Sequence, residues 1–177
     1  MIQKIERSAL LTSIADARDW MDRQRERAPR SAFGIRGFSE SLLFRPDGSI
    51  FAQQKENGIS DTGFSFIANS IGNRSAAGAT AAMGWIAVGT GTTAFAAAQT
   101  ALVTELNRQS ATYAHTNLTK VFSFSASYAA GVATGAITEA GVFNASSAGT
   151  MLDRVVFSVI NKGADDSLTQ TFTFTMS

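Results

Sequence analysis

The C-terminal stretch from Ile137 to Ser177 constrains the fold of this chain more than any other part of the sequence. It holds three short runs rich in β-branched and aromatic residues, at 137–144, 151–162 and 167–176. The segments between them, Asn-Ala-Ser-Ser-Ala-Gly-Thr and Asn-Lys-Gly-Ala-Asp-Asp, are typical of turns. The pattern therefore predicts consecutive antiparallel strands.

Alternation in the last two of these runs predicts strands that bury one face. In the last run the apolar residues alternate with threonines: Phe172, Phe174 and Met176 with Thr171, Thr173 and Thr175. In the run before it, Val155, Phe157 and Val159 stand opposite Arg154 and Ser158. Strands of this kind need a second sheet to pack against. We predict a mainly β fold, an antiparallel, jelly-roll-like β-sandwich with one short internal helix and an N-terminal helical arm.

The N-terminal region has the periodicity of a helix. From Ser8 to Arg27, apolar residues recur every three or four positions and form one narrow stripe, made of Leu10, Ile14, Ala17 and Met21. Ser8 is the predicted N-cap, and Pro29 is expected to stop the helix. Because a short helix with so narrow a stripe is not stable alone, it must pack on its own domain or on a neighbouring subunit.

Charge falls sharply after this region. Residues 1–30 hold seven Lys or Arg and five Asp or Glu, whereas residues 63–138 hold only Arg74, Glu105, Arg108 and Lys120. Free monomers normally carry more surface charge, so we expect the second segment to be covered by its own fold or by other subunits. A surface of Ser, Thr, Ala and Gly is the alternative.

The change in charge suggests three parts: a helical arm (1–30), a hairpin- and loop-rich extension (31–84) and the β-sandwich domain (85–177). In this interpretation the arm docks on a neighbouring subunit. The predicted partner-binding residues lie on it: Leu10, Ile14, Met21, Arg23 and Arg27.

Local signals predict further elements between the arm and the last strands. Pro46-Asp47-Gly48 between apolar runs predicts a β-hairpin, because proline fixes φ and glycine accepts a positive φ. Asn57-Gly58 predicts a second turn, followed by a strand-like alternating run at 63–67. Residues 85–93 predict a strand that enters a glycine-rich loop, and residues 120–128 predict a half-buried strand. Thr100 is expected to cap a short helix over 101–108.

Residue types that carry catalysis or bind metal are sparse. Cysteine is absent, and the single histidine, His115, is expected in a surface loop. Nothing in the sequence brings Glu105 and Glu139 together, and Asp165-Asp166 fits a turn without the spacing of a calcium loop. The glycine-rich loop at 89–93 lacks the lysine of a phosphate-binding loop. We predict no catalytic residue, no cofactor, no metal site and no enzymatic activity.

Nucleic acid and membranes are also unexpected partners. The net charge is only +1, and the most apolar stretch, residues 76–88, is too short to span a bilayer and is interrupted by glycine. The N-terminus lacks the pattern of a secretory signal. Sugar binding through Trp20 or Trp85 stays open, although a tryptophan in a strand is more often part of a core.

Five segments occur in an order and spacing that resemble a known class of virion protein. They are WIAVGTGTT at 85–93, TALVTELNR at 100–108, ITEAGVFN at 137–144, MLDR at 151–154 and FSVINK at 157–162. Together they resemble the small β-sandwich proteins that decorate or cement the capsids of tailed bacteriophages, and related modules of tail and neck fibres. The resemblance covers about residues 85–177.

This resemblance implies a structural protein on the capsid surface of a virion that is assembled in the bacterial host cytoplasm. The implied partners are the major capsid protein and other virion proteins, and a homotrimer is the expected oligomer. Such a protein would stabilise the shell by binding across capsid subunits. The alternatives are a fibre, neck or baseplate component of the virion, or a module that binds host glycans.

Overall fold

The computed structural model describes residues 6–11, 13–26, 34–72 and 81–176. Two helices lie in these ranges, α1 (Ile14–Glu26) and α2 (Asp61–Gly72). The strands are β1 (Glu6–Leu11), β2 (Ile35–Phe44), β3 (Ile50–Ile59), β4 (Trp85–Gly89), β5 (Glu105–Ser110), β6 (Thr112–His115), β7 (Val121–Tyr128), β8 (Gly135–Phe143), β9 (Met151–Lys162) and β10 (Ser167–Met176). The prediction of a mainly β, antiparallel fold is confirmed.

The ten strands described form one continuous sheet with two parts. One part has the order β1-β3-β2-β10-β7-β6, and the other has the order β5-β4-β8-β9. They join where β3 pairs with β9 through only two residue pairs, Gly58 with Arg154 and Ile59 with Asp153. On the opposite side, Ala111 alone separates β5 from β6, so the chain passes there from one edge of the sheet to the other. The sheet is therefore nearly closed and resembles a barrel, where two separate sheets were predicted.

The main core lies inside this curled sheet and takes residues from both parts. Phe124, Phe172 and Phe174 come from one part, and Val142 and Ile160 are among those from the other. The predicted apolar face of β10 is confirmed for its two phenylalanines, which are fully buried. The core is thus shared, and neither part of the sheet could bury its apolar face alone.

A buried tyrosine links the two parts across the core. Tyr128 of β7 is fully buried, and its hydroxyl donates a hydrogen bond of 2.7 Å to the carbonyl oxygen of Ile86 in β4. Burial raises the pKa of the Tyr128 phenol far above its ordinary value, so the hydroxyl stays a donor.

The predicted hairpin is present between β2 and β3. The N–H of Arg45 donates to the carbonyl of Ser49, and Asp47 Oδ1 accepts the N–H of Ser49 at 2.8 Å. Gly48 has a φ of 81°, which is the conformation that the Pro-Asp-Gly signal requires.

The single N-terminal helix predicted over 8–27 is confirmed for residues 14–26 and is wrong for residues 8–11. Residues 6–11 form β1, which pairs antiparallel with β3, and Leu10 lies opposite Phe51 in that register. The helix begins after Ser13, whose hydroxyl accepts the N–H of Asp16 at 3.1 Å, so Ser13 and not Ser8 is the N-cap. An unpaired edge of β3 binds the first residues as a strand, and this pairing outweighs the helical periodicity.

Helix α1 covers part of the outer face of the sheet. Its Ala17 and Met21 pack with Leu42 of β2 and with Ile50 and Ala52 of β3 in a second, smaller apolar cluster. This cluster lies outside the main core, and it uses the C-terminal half of the stripe that the sequence predicted.

Two turn and strand predictions after the hairpin are wrong. Asn57 and Gly58 lie inside β3, and the alternating run at 63–67 belongs to α2. Ser60 caps this helix by accepting the N–H of Gly63 at 3.0 Å. A Cβ atom at Gly63 would clash with the carbonyl oxygen of Leu152, so the glycine allows α2 to approach β9 closely.

The short internal helix predicted over 101–108 is also wrong. Residues 105–110 form β5, which pairs with β4 along its length. Leu102 is buried in a third cluster with Ala87, Phe143 and Met151. The internal helix of the chain is α2.

The side chains of β9 are not buried and exposed in the alternating order that the sequence predicted. Arg154, expected on a polar outer face, is fully buried, and Val159, expected in the core, is 47% exposed. The pairing of β8 with β9 shifts register between Ile137 and Glu139, so one simple alternation does not run through the strand.

No helix in the described ranges is long and apolar enough to cross a membrane.

Candidate functional site

The predicted partner-binding residues lie in different environments. The backbone of Leu10 lies in β1, which pairs with β3. Ile14 is 45% exposed at the start of α1, and Met21 is buried against β2 and β3. Arg23 is exposed and pairs with Asp19 one helical turn earlier. Arg27 lies outside the described residues. Met21 is therefore occupied within the chain, and the binding role of the set stays a prediction.

Four of the five segments that carry the resemblance, all but 157–162, contribute to one buried ion pair and its hydrogen-bond partners. Glu139 of β8 and Arg154 of β9 are fully buried, and Arg154 Nη2 lies 2.7 Å from Glu139 Oε2. Arg154 Nε donates a second bond of 2.8 Å to the same oxygen. Two charge-assisted bonds to one carboxylate oxygen offset part of the cost of removing both charges from water.

Both partners also hold the long loop between β4 and β5. Glu139 accepts backbone N–H groups of Gly91 (3.0 Å), Val103 (3.1 Å) and Thr104 (2.7 Å). Arg154 donates to Gln99 Oε1 (2.8 Å) and to the carbonyl oxygen of Thr93 (3.0 Å). The residues that bond to the ion pair lie between 91 and 104, so this one pair fixes the loop between β4 and β5 on the sheet.

Two glycines of the glycine-rich sequence allow the loop backbone to lie close to Glu139. A Cβ atom at Gly91 would overlap the carboxylate of Glu139, and one at Gly89 would meet the carbonyl oxygen of Thr104. The glycines therefore let the backbone reach a buried carboxylate. Because every charged atom of the pair has protein partners and is sealed from solvent, this cluster stabilises the fold and leaves no space for a reacting substrate.

A second buried carboxylate lies at the junction between the two parts of the sheet. Asp153 is fully buried and accepts hydrogen bonds from the Asn57 side-chain amide and from the N–H of Val142, the latter at 3.1 Å. Burial raises the pKa of Asp153 to about 7, and these two hydrogen bonds lower it in part. Asn57 Oδ1 is buried and accepts no hydrogen bond from the residues that the structure describes. The sequence indicated neither Asp153 nor Asn57, since strand pairing alone brings them together.

The described residues that were considered from the sequence as catalytic or metal-binding candidates do not lie together in one site. His115 is exposed at the end of β6, and its Nδ1 lies 2.9 Å from the carbonyl oxygen of Val121. Glu105 pairs with Arg108 at the surface, and the carboxylate of Asp166 accepts the N–H of Gly163 within its turn. Among the described residues, no three His, Cys, Asp or Glu side chains are grouped so as to hold a metal ion.

The candidate site is an apolar surface at one end of the sheet, here called the open end. It consists of four exposed apolar side chains: Tyr113 (56% exposed), Leu118 (97%), Val121 (41%) and Met176 (42%). They lie at the same end of neighbouring strands, because β7 pairs with β6 and β10 and the N–H of Met176 donates to the carbonyl of Lys120. Val121 lies opposite Thr175 on the outer face, whereas Tyr113 lies opposite Phe124 and Met176 is in phase with Phe174 on the other face.

Strand β6 adds a free backbone edge to the open end. All four of its residues are exposed, and in the described part of the chain it pairs only with β7. An unpaired edge strand beside apolar side chains is a surface on which another chain can add.

Leu118 is the most exposed of these residues and has a strained backbone. It lies in the turn between β6 and β7 with a φ of 66°, a conformation that costs a non-glycine residue about 1 kcal/mol. The sequence offered no signal for this, because neither exposure nor a positive φ at a leucine is expected from its residue type.

Comparisons with protein families, with curated proteins and with solved structures found no match.

Proposed function

We propose that this chain is a non-enzymatic structural protein of a tailed-phage virion, of the capsid cement or decoration class. The open end is the observation that carries the proposal. It combines four exposed apolar side chains with an unpaired strand edge, and the fully exposed Leu118 is held in a strained turn. Apolar side chains grouped beside an open edge are typical of surfaces that bind another protein.

In this proposal the open end docks on the major capsid protein across a boundary between subunits. Contacts of this kind exist only in the assembled shell, so by mass action they stabilise the assembled state. Repetition over many equivalent sites multiplies a small energy at each site.

The proposal also includes a homotrimer as the oligomer and a jelly-roll-like sandwich as the fold class. A homotrimer is the proposed oligomer, since closed threefold symmetry can cover strand edges that are exposed in one chain. The jelly-roll-like sandwich of the decoration proteins is supported by the core that lies between the two parts of the sheet. Ile14 and Arg23 of α1 offer a further exposed contact for other virion proteins.

Counting copies in purified virions tests the proposal directly. Quantitative mass spectrometry, normalised to the major capsid protein, should find many copies per particle. A few copies confined to the tail, neck or baseplate would support the alternative of a fibre or baseplate component. Absence of the chain from virions would overturn both.

A variant of the open end tests the docking surface. Leu118→Asp should weaken co-sedimentation of the purified chain with empty shells at least tenfold, because it places a charge at the centre of the contact. Val159→Asp is the matched control, since Val159 is 47% exposed on β9, away from the open end. Equal effects of the two variants would contradict docking through this surface.

A further inference from the structure

A furrow crosses the outer face of the sheet, on the side opposite the main core. It consists of two adjoining hollows of about 430 and 360 Å³, which share Glu40 of β2 and Thr171 of β10. One hollow ends at the turn between β6 and β7, and the other ends at α1, where Arg18 and Met21 line it.

The floor of the furrow is made of hydroxyl groups at strand spacing. Ser123 and Ser125 come from β7, and Thr169, Thr171 and Thr173 come from the neighbouring β10. This is the threonine face of β10, and it lies outward because Phe172 and Phe174 occupy the core face.

Several of these hydroxyls have no partner in the protein. Ser125 Oγ and Thr171 Oγ1 bond each other at 2.9 Å. In the part of the chain that the structure describes, the hydroxyls of Ser123, Thr169 and Thr173 make no hydrogen bond to protein. Thr173 as a whole is only 8% exposed, and it lines the furrow together with Ser123. Hydroxyls that make no bond within the protein can donate to and accept from a ligand in the furrow.

The single acidic group in the middle of the furrow restricts the charge of an occupant. Glu40 is 4% exposed, and Gln54 Nε2 donates to its carboxylate at 2.8 Å. Arg18, at one end, is the sole Lys or Arg among the described residues that line the furrow. A phosphate or nucleic acid backbone would therefore meet a nearly buried carboxylate in the middle of the furrow.

The backbone of the floor restricts the occupant further. Strands β7 and β10 each have a paired neighbour on both sides, so no free edge lies under the furrow for an added peptide strand. The apolar side chains stand at the two ends of the furrow, and the floor between them offers only hydroxyls and the Glu40 carboxylate. A peptide or helix would find no central apolar pocket there.

We infer that the furrow binds a neutral oligosaccharide through the unpaired hydroxyls of Ser123 and Thr173 and the carboxylate of Glu40. Sugar hydroxyls both donate and accept, which matches Ser and Thr hydroxyls, and they can donate a charge-assisted bond to a carboxylate. The furrow lies on the sheet face and meets the open end at Val121, and its binding is tested separately from docking through the open end.

Titration of the isotope-labelled full chain with neutral oligosaccharides tests the inference. The probes are maltohexaose, cellohexaose and the hexamer of N-acetylglucosamine, each followed by NMR at millimolar concentration. At least one should shift the amides of Ser123, Thr171 and Thr173 in a saturable way. If none of the three moves them, the inference is wrong.

Paired variants separate hydroxyl recognition from general effects. Ser123→Ala with Thr173→Val removes two hydroxyls that make no bond within the protein, and it should weaken binding about tenfold. Ser127→Ala with Thr175→Val is the matched control on the same strands and face but outside the furrow, and its affinity should equal that of the unchanged chain. Equal affinity of both double variants, or preferential binding of polyphosphate or a peptide at these residues, would overturn the inference.

Discussion

Three buried charged residues, Glu139, Asp153 and Arg154, decide much of the local structure. Each is fully buried on β8 or β9, and two of them form the ion pair that fixes the loop over residues 91–104. The third has no cation in hydrogen-bond contact among the described residues, and burial raises its pKa. Substitution in the ion pair and substitution of Asp153 are therefore expected to change the stability of the fold in different ways.

Replacing Arg154 by methionine should lower the free energy of unfolding by about 3–5 kcal/mol, because Glu139 would stay buried without its counter-charge. Urea denaturation followed by tryptophan fluorescence measures this. Adding Glu139→Gln to the variant should recover part of the loss, since the uncompensated charge is then gone.

The control for this prediction is Arg23→Met, which removes an exposed i,i+4 pair with Asp19. Pairs of that kind contribute about 0.5 kcal/mol or less. A loss for Arg154→Met no larger than that of the control would show that the buried pair does not hold the loop.

The lone carboxylate predicts an unusual pH dependence. Since burial raises the pKa of Asp153 from 3.8 to about 7, the folded state holds this proton more tightly than the unfolded state. Its contribution to stability is therefore full below about pH 4 and is lost as the pH rises toward 7. The raised pKa corresponds to about 4 kcal/mol between these limits.

Asp153→Asn should remove this dependence and raise the melting temperature at pH 8 more than at pH 5. The new amide could accept the N–H of Val142 and, after rotation of the Asn57 amide, donate to Asn57 Oδ1, which has no partner among the described residues. Thermal unfolding at both pH values measures the effect, and Asp165→Asn, in an exposed turn, is the control. A variant that is less stable than the natural chain at pH 8 would contradict the expected cost of the buried charge.

At the scale of elements, neighbouring strand edges override local periodicity at several places. Residues 8–11 were predicted to be helical but belong to the strand that pairs with the edge of β3, and residues 105–108 were predicted to be helical but belong to the strand that pairs with β4. The reverse happens at 63–67, where alternation reads as strand but Ser60 caps a helix that packs on β9. In each case the partner surface decides, because propensities differ by less than the energy of pairing or packing.

Helix α1 provides a prediction at this scale. Met21→Ala should cost about 2 kcal/mol or more, because Met21 is 4% exposed and packs against Leu42, Ile50 and Ala52. Ile14→Ala, on the same helix at 45% exposure, should cost far less. Chemical denaturation of both variants measures the difference. Equal, small effects would mean that α1 is only loosely attached to the sheet and would favour an arm that binds a partner.

At the scale of the whole molecule, the two parts of the sheet depend on one another. Only two residue pairs join β3 to β9, but the main core takes side chains from both parts. Shared burial and not backbone pairing therefore makes the described chain one unit.

We expect a single cooperative unfolding transition, and the two tryptophans can report it separately. Trp20 packs at the cluster under α1, and Trp85 packs at the cluster beside β4 and β8. Fluorescence of the Trp20→Phe and Trp85→Phe variants in urea should give equal midpoints after correction for each substitution. Separate midpoints, reproduced by circular dichroism, would show that the parts unfold independently.

The sequence by itself determined those strands and turns that depend only on residues close together in the chain. The alternation in β7 and β10 and the Pro-Asp-Gly turn between β2 and β3 were predictable, because each follows from side-chain period or from the backbone freedom of single residues. The absence of cysteine and the low charge after the N-terminal region were equally readable.

Only the tertiary structure decided where the distant residues meet. Asn57 and Asp153 are far apart in sequence, as are Gly91 and Glu139, and strand pairing alone makes them neighbours. The open end and the furrow are likewise produced by β6, β7 and β10 lying side by side, with long stretches of chain between them. Local patterns specify which face of a strand is apolar, whereas the order of strands depends on burial summed over the whole chain, which no single segment encodes.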